Sequence, residues 1–585
     1  MALPLFLPFQ PGDRAARRRF SIDGSLYRSD GYWRSLLLLI VFSSFLSFYG
    51  LSQGEFYRTE SLRAIVAQEF LRSGNWIVPT LYGEPFFSKP PGMYAAIALA
   101  SWPAGVVREW SARLPSAVAA FATLLLVLWY FSRELGPRGG LVAAALMPVS
   151  FMWLDKATAA EIDMLQTFWV TAAIICFLCA LDAEASYRPS AIGYQPTAVS
   201  RRPIAVLWWL ASFLSLAAGV LTKWTAPAFF YGTVIPLLIR RRQLRLLWCR
   251  NHVIGLGIAI AVCGAWIAAA SWLAGWDSLY DTVKREALVH LSPSHHHRPY
   301  PWRETLLHPL HVWAASLPVA LFALPALWPG FARRWDERGR RLLEALHCWL
   351  WPNLVFWSLV PQHAVRQSFP LYPAIAGLAA MVWLAWLTQR LAWPLREVVG
   401  ALRVPFIPLH KRTAHGVCLL QPPTRGLKTV LVGVLAIWLV VKVCFVHVVV
   451  PERERGREPR QKGEQIAALV PPDRTLYLFR LKDEGIMFYY GRPAQRLSSP
   501  AQLPSSHRPE YCIFDEAEWR ALQAYGAFEK ILELRDEQGA PIVLAIRNHE
   551  SRFRAGRHQD PERVGIDARG QGTLGGWLSV GLGRG

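Results

Sequence analysis

The chain has 585 residues, of which 53% are hydrophobic and only 18% charged, with 27 tryptophans and a formal net charge of +22. Its apolar residues fall in long runs, which excludes a soluble globular protein of this length and indicates a polytopic membrane protein. The excess of Lys and Arg does not indicate nucleic-acid binding, because it is dispersed in short groups between apolar runs, as in cytoplasmic loops. The eight cysteines lie mostly inside apolar runs (Cys176, Cys179, Cys263, Cys444) and show no metal-binding spacing, and a structural disulfide is not expected.

Residues 1–33 are polar, carry Arg14, Arg17, Arg18 and Arg19, and read as a cytoplasmic N-terminal segment. The apolar run Ser35–Leu51 has no small-residue cleavage site after it and is expected to be a retained signal-anchor helix. The stretch Tyr57–Pro91 is then outside. It holds Arg58, Glu60, Arg63, Glu69, Arg72, Glu84 and Lys89 among helix-breaking prolines, and it cannot cross hydrocarbon. Leu62, Ile65, Val66 and Phe70 recur at helical spacing, which predicts an amphipathic helix lying on the membrane surface.

Gly92–Val107 is short and contains Pro103, so it is expected to be juxtamembrane or re-entrant. The remaining apolar runs are Leu114–Ser132, Gly139–Leu154, Asp163–Leu181, Ile204–Leu221, Ala226–Leu238, His252–Trp272, Leu310–Trp328, Leu343–Val360, Phe369–Leu387 and Leu427–Val450. With the first helix they make about eleven spans, and the expected architecture has about 11 to 13. Leaving Gly92–Val107 out places the basic segments Arg133–Arg138, Arg188–Arg202, Arg240–Arg250, Arg333–Arg341 and Arg390–Arg425 on the cytoplasmic side. The same count gathers Asp155–Asp163, Thr222-Lys223-Trp224, Trp276–Arg303 and Pro361–Ser368 outside, beside the first loop (52–112).

The membrane domain thus covers 34–450. Residues 451–549 alternate short apolar strings (Thr475–Phe479, Ile486–Tyr490, Cys512–Phe514, Ile542–Ile546) with helix-like Glu464–Leu469 and Glu516–Tyr525, which predicts a small extracytoplasmic α/β domain. The Gly- and Arg-rich tail, 550–585, is expected to be disordered.

Taken alone, Glu60 reads as a carboxylate favoured by a helix N-terminus, and Lys89 and Lys223 as snorkelling cations or phosphate ligands. The run His295–His297 reads as a solvated loop or a metal site. The pattern around these residues is more specific. Glu60 precedes a helix holding Ala67 and Glu69, followed by Gly74-Asn75-Trp76, Pro79, Gly83 and Lys89-Pro90-Pro91, and this string resembles the first outer loop of membrane glycosyltransferases of the protein mannosyltransferase and lipid A aminoarabinose transferase type. Thr59 and Ser88 depart from that pattern, which usually has Asp and Glu there.

The resemblance implies a GT-C fold and transfer of a sugar from a polyprenyl phosphate to an extracytoplasmic acceptor (lipid, glycan or protein), with inversion, at a bacterial inner membrane. It implies catalytic carboxylates at Glu60, Glu161 and Asp163, and donor-phosphate contacts from Lys89, Lys223, Arg113 and Arg366. Substrate contacts are implied for Arg58, Arg63, His297, Arg298, Tyr300, His363 and Tyr372. Thr59 and Ser88 remove two oxygen donors that relatives offer, so a divalent metal ion stays open. The chemistry suits these residue types: a departing lipid phosphate concentrates negative charge that Lys and Arg stabilise, and a neutral nucleophile needs a carboxylate to take its proton. A secondary transporter of an envelope precursor would place ionisable residues near mid-membrane in matched half-repeats, and neither is visible. A noncatalytic envelope scaffold would leave the clustering of polar motifs on one face unexplained.

Overall fold

The computed structural model describes residues 30–57, 59–185, 202–291, 300–361, 364–388, 424–479, 483–504, 508–523, 528–537 and 539–547. The polar N-terminus, the tail beyond 549, Arg58, His297, Arg298 and His363 lie outside the described residues.

The chain is a polytopic helical membrane protein. Among the described residues, seven helices are long and apolar enough to cross a membrane. They fall in α1 (Asp30–Phe48), α4 (Glu109–Leu135), α7 (Ile162–Ala185), α8 (Arg202–Thr222), α10 (Arg250–Ala274), the stretch ending in α15 (Tyr372–Leu387), and the last long helix, Thr424–Cys444 and its continuation. Shorter apolar helices, such as α5 (Pro137–Leu146) and α9 (Ala226–Arg240), fill the space between them, with α14 (Glu337–Leu359). Every residue of α15 from Tyr372 to Trp386 is buried, so this helix is surrounded by protein. By contrast α10 exposes Val253, Ile260 and Trp272, the apolar surface that lipid would cover.

Two expected spans are not single helices. Gly139–Leu154 breaks into α5 and α6 (Phe151–Ala157), because Ser150 turns the chain, accepts from the Trp153 amide and bridges to Pro318. Leu310–Trp328 is divided among α12 (Trp302–Ala315), α13 (Val319–Ala323) and a 3-10 turn, where Pro318 and Pro325 interrupt the helical hydrogen bonding. As expected, Gly92–Val107 does not span: α3 (Gly92–Ser101) has only 10 residues.

The polar segments sort to two ends. At one, Arg133 meets Asp182, and Arg240 and Arg241 meet Glu344. The first loop and the C-terminal domain pack together at the other.

In the first loop, α2 (Glu60–Ser73) ends at Gly74 in the left-handed region, φ 69°. Glu69 accepts from the Thr80 hydroxyl and the Tyr82 amide, fixing the hairpin of β1 (Thr80–Leu81) and β2 (Glu84–Pro85). The expectation that α2 lies on lipid is corrected: Ile65, Val66 and Phe70 share one core with Tyr94 and Ile97 of α3 and with Ile466, Ile486, Met487 and Tyr490 of the C-terminal domain. Its apolar stripe is covered by protein.

The C-terminal domain is the expected α/β unit, a five-stranded sheet in the order β4-β3-β5-β7-β6: β3 (Leu476–Leu478), β4 (Ala494–Arg496), β5 (Glu510–Asp515), β6 (Phe528–Arg535) and β7 (Pro541–Arg547). β3 runs parallel to β4 and β5, and β5–β7–β6 is antiparallel. Ile486–Tyr490, read as an apolar string among strands, is a helix, Glu484–Tyr490, capped by Asp483 and ended by Gly491.

Two carboxyls at this domain's base are pushed up to about 7: Glu484, by burial with Asp483 and Glu537 adding and Arg496 opposing, and Glu537, by burial and Asp483 against Arg457. An unfolded glutamate titrates near 4.5, so between these values the folded domain holds protons that the unfolded chain releases. The stability these two groups contribute is therefore fully present below about 4.5 and is lost as pH rises through about 7. Thermal unfolding of the purified protein should move to lower temperature from about pH 5.5 to about pH 8, and Glu484→Gln should flatten that dependence.

Candidate active site

The first loop is tied to the bundle by one buried ion pair. Glu60, 4% exposed, opens α2, and Arg113, 5% exposed, lies in the first turns of α4. Arg113 Nε and Nη2 donate to the two Glu60 carboxylate oxygens at 3.0 and 3.1 Å. Its Nη1 and Nη2 also donate to the carbonyls of Leu51, Gln53, Gly54 and Glu55. Glu60 accepts further from the Tyr57 amide (2.9 Å) and the Ala160 amide (2.7 Å). Arg113, for which the resemblance implies a phosphate contact, thus directs its donors to Glu60 and to the chain leaving α1. Glu60 is likewise occupied, in contrast to the catalytic position implied for it.

The Glu60–Ala160 bond leads to the turn between α6 and α7, where the remaining charges gather. Lys156, at the end of α6, bridges Asp155 Oδ2 (2.9 Å) and Glu161 Oε2 (2.7 Å). Asp163, 2% exposed in the first turn of α7, accepts from Lys223 Nζ at 2.8 Å. Lys223 stands in the turn between α8 and α9, which is pinned to α7 because Gln166 Nε2 donates to Thr225 Oγ1 at 2.7 Å. Gln166 is three residues after Asp163, on the same helix face.

Arg366 approaches from the 3-10 turn Val365–Leu371, its Nη1 3.8 Å from Glu161 Oε1, and with a side chain 34% exposed it lies at the rim. His308 and Ser368, 2.9 Å apart, steady this turn. Arg63 donates to the Thr59 carbonyl and hydroxyl and acts electrostatically on Glu161. Lys89 donates to the Ser88 carbonyl at 2.9 Å and adds its charge to the field at Lys223. Gly92 permits this approach, because a Cβ there would stand 2.7 Å from the Leu221 carbonyl oxygen.

Cations outnumber carboxylates: Lys156, Lys223, Arg366, Arg63 and Arg453 surround Asp155, Glu161 and Asp163. Burial would raise the Glu161 carboxyl, yet Lys156, Arg366 and Arg63 hold it below the ordinary glutamate range. Burial draws Lys223 below the usual lysine range although Asp163 opposes this. A site of ionised carboxylates with surplus positive charge favours a further anion.

Of the other expected residues, Tyr300 donates from its hydroxyl to the Leu359 carbonyl at 2.6 Å. Tyr372 is 1% exposed, with its ring against Trp153 and Phe369. Tyr372, for which the resemblance implies a substrate contact, is thus packed inside the bundle. Lys156 and Arg453 were missed. Lys156 lies in Asp155-Lys156-Ala157-Thr158-Ala159-Ala160-Glu161, where a cation between two acids was the available signal. Lys442 was missed too: fully buried in the last long helix, its ammonium lies 3.4 Å from Thr158 Oγ1. Among the described residues, no three His, Cys, Asp or Glu side chains are grouped as a metal ion would need.

Residues 88–192 match the family model described as dolichyl-phosphate-mannose-protein mannosyltransferase. The chain is 30% identical over 212 residues to an undecaprenyl phosphate-alpha-4-amino-4-deoxy-L-arabinose arabinosyl transferase of Edwardsiella ictaluri, covering 36% of this chain and 35% of that protein. It is 27% identical over 372 residues to the protein of the same name in Pseudomonas aeruginosa, covering 61% and 60%. The matched regions thus span 35% to 60% of these curated relatives' length. Among solved structures, the chain resembles ArnT from Cupriavidus metallidurans bound to undecaprenyl phosphate, with a TM-score of 0.64, 16% identity, and coverage of 88% of this chain and 98% of that one. The fold is therefore the GT-C fold of membrane glycosyltransferases.

Removing Arg113 would leave Glu60 buried and unpaired, a loss of about 3–5 kcal/mol. Arg113→Ala should lower the thermal unfolding temperature sharply, and adding Glu60→Gln should recover part of the loss.

Proposed function

We propose that this protein is an integral membrane glycosyltransferase that moves a sugar from a polyprenyl-phosphate-linked donor to an extracytoplasmic acceptor, with inversion. The observation that carries the reading is the buried Asp163–Lys223 pair, 2.8 Å apart within a cation-rich turn cluster at one end of a GT-C bundle. The likeness to aminoarabinosyl transferases supports the donor class. The positive-inside distribution of Lys and Arg in the sequence favours the extracytoplasmic side of a bacterial inner membrane for the cluster.

In this reading the donor's phosphate enters at the rim beside Arg366 and Lys89 and draws Lys223 toward its oxygens. That frees the Asp163 carboxylate to accept the proton of the incoming nucleophile. The nucleophile's lone pair forms the new bond to the anomeric carbon as the bond to the phosphate oxygen breaks. The electron pair stays on the lipid phosphate, where Arg366, Lys89 and Lys223 stabilise it. Glu161, held ionised by Lys156, keeps Arg366 and Lys156 in place and leaves the cluster cationic. Arg63 holds the start of α2 against it, while Arg58, His297, Arg298 and His363 remain proposed substrate contacts. Glu60 serves as the anchor of the loop, and Asp163 is the base.

The names of the curated relatives put 4-amino-4-deoxy-L-arabinose on undecaprenyl phosphate first in a donor panel. Purified protein should release or transfer labelled sugar from a member of that panel, and Asp163→Asn and Lys89→Ala should each lower turnover about a hundredfold or more. No turnover and no donor binding by folded protein would reject the reading.

A further inference from the structure

The last long helix changes pitch at Phe445–Val449, a single π-helical turn, and continues as the short helix Val450–Glu454 toward the C-terminal domain. Such turns rotate the following side chains relative to a regular helix. Here the residue delivered is Arg453, whose Nη1 lies 2.9 Å from Asp155 Oδ1. Its guanidinium also stands over the rings of Tyr57 (5.3 Å) and Phe445 (5.0 Å). Tyr57 in turn donates its amide to Glu60, so Arg453 is held between the first loop, the last helix and the α6–α7 turn.

We propose that Arg453 is a positioning residue for the charge cluster: by occupying one oxygen of Asp155 it fixes how Lys156 is divided between Asp155 and Glu161. The inference rests on the glycosyltransferase reading only for its effect on turnover. Lys156 Nζ is shared, 2.9 Å from Asp155 Oδ2 and 2.7 Å from Glu161 Oε2. Two carboxylates compete for one ammonium, and the stronger field draws it closer. Arg453 satisfies Asp155 from its far oxygen, leaving Lys156 for Glu161. Without Arg453, Asp155 keeps its full charge and pulls Lys156 toward itself. Glu161 then loses its closest cation and turns to Arg366, which it draws away from the rim where the lipid phosphate is bound.

The test separates this role from simple anchoring of the C-terminal domain. Arg453→Met should lower kcat about tenfold or more. Adding Asp155→Asn should restore most of that loss, because the competing charge is gone. Arg453→Lys should retain activity where Arg453→Gln does not, a comparison that also serves if the methionine variant fails to fold. If the residue only anchors the domain, Asp155→Asn will not rescue Arg453→Met, and that result would overturn the inference. A second readout needs no turnover: Arg453→Met and Glu161→Gln, at residues joined through Asp155 and Lys156, should shift the thermal unfolding temperature non-additively. Additive shifts would reject the inference even from a protein without transferase activity, whereas a glycosyltransferase reading that failed alone would leave the coupling intact.

Discussion

The cost of keeping charge out of water governs this molecule. A buried carboxylate at a membrane boundary is tolerated only with a partner and full hydrogen bonding, and each such group here is held by a cation from a distant part of the chain. Glu60 is met by Arg113, Asp163 by Lys223, Glu161 by Lys156 and Arg366, and Asp155 by Lys156 and Arg453. These pairs tie the first loop, three interhelical turns and the exit of the last long helix into one assembly. The two kinds of pair differ in what they leave open. Arg113 and Glu60 exhaust each other, whereas Arg366 at the rim retains exposure, and Lys223 makes one short contact with Asp163.

That difference was not visible in the sequence. The string from Glu60 to Pro91 carries a resemblance to membrane glycosyltransferases and lies at the end of the bundle where the charges gather. It could not show that Arg113 would turn back onto Glu60, since the partners are 53 positions apart. Asp163 and Lys223 were legible for a physical reason: each is a charge at the very boundary of an apolar run, where a helix must begin or end. Lys156 and Arg453 were harder to see because they sit among other charges, and only packing shows which neighbour each one serves.

The fold was legible to the same extent. Uninterrupted runs such as those of α4, α7 and α10 became single helices. Composition could not separate a span from two short helices joined by a turn, as at Ser150 and Pro318, because both halves are equally apolar. In the C-terminal domain, β5 and β7 were signalled by β-branched and aromatic residues. The strand Phe528–Arg535 was not, since half of its side chains are charged and face outward at the sheet edge.

The core shared by α2 and the C-terminal domain bears on how the protein is made. Phe56, Val66 and Phe70 leave the ribosome early, while Ile466, Met487 and Leu544, with which they share a core, come roughly 400 to 490 residues later. Until then the first loop carries an uncovered apolar face. Synthesis therefore passes through a stage in which the bundle is inserted while the first loop waits for the C-terminal domain. A transcript truncated after the final membrane helix would yield a protein arrested at that stage, with the exposed surface that chaperones and quality-control proteases recognise.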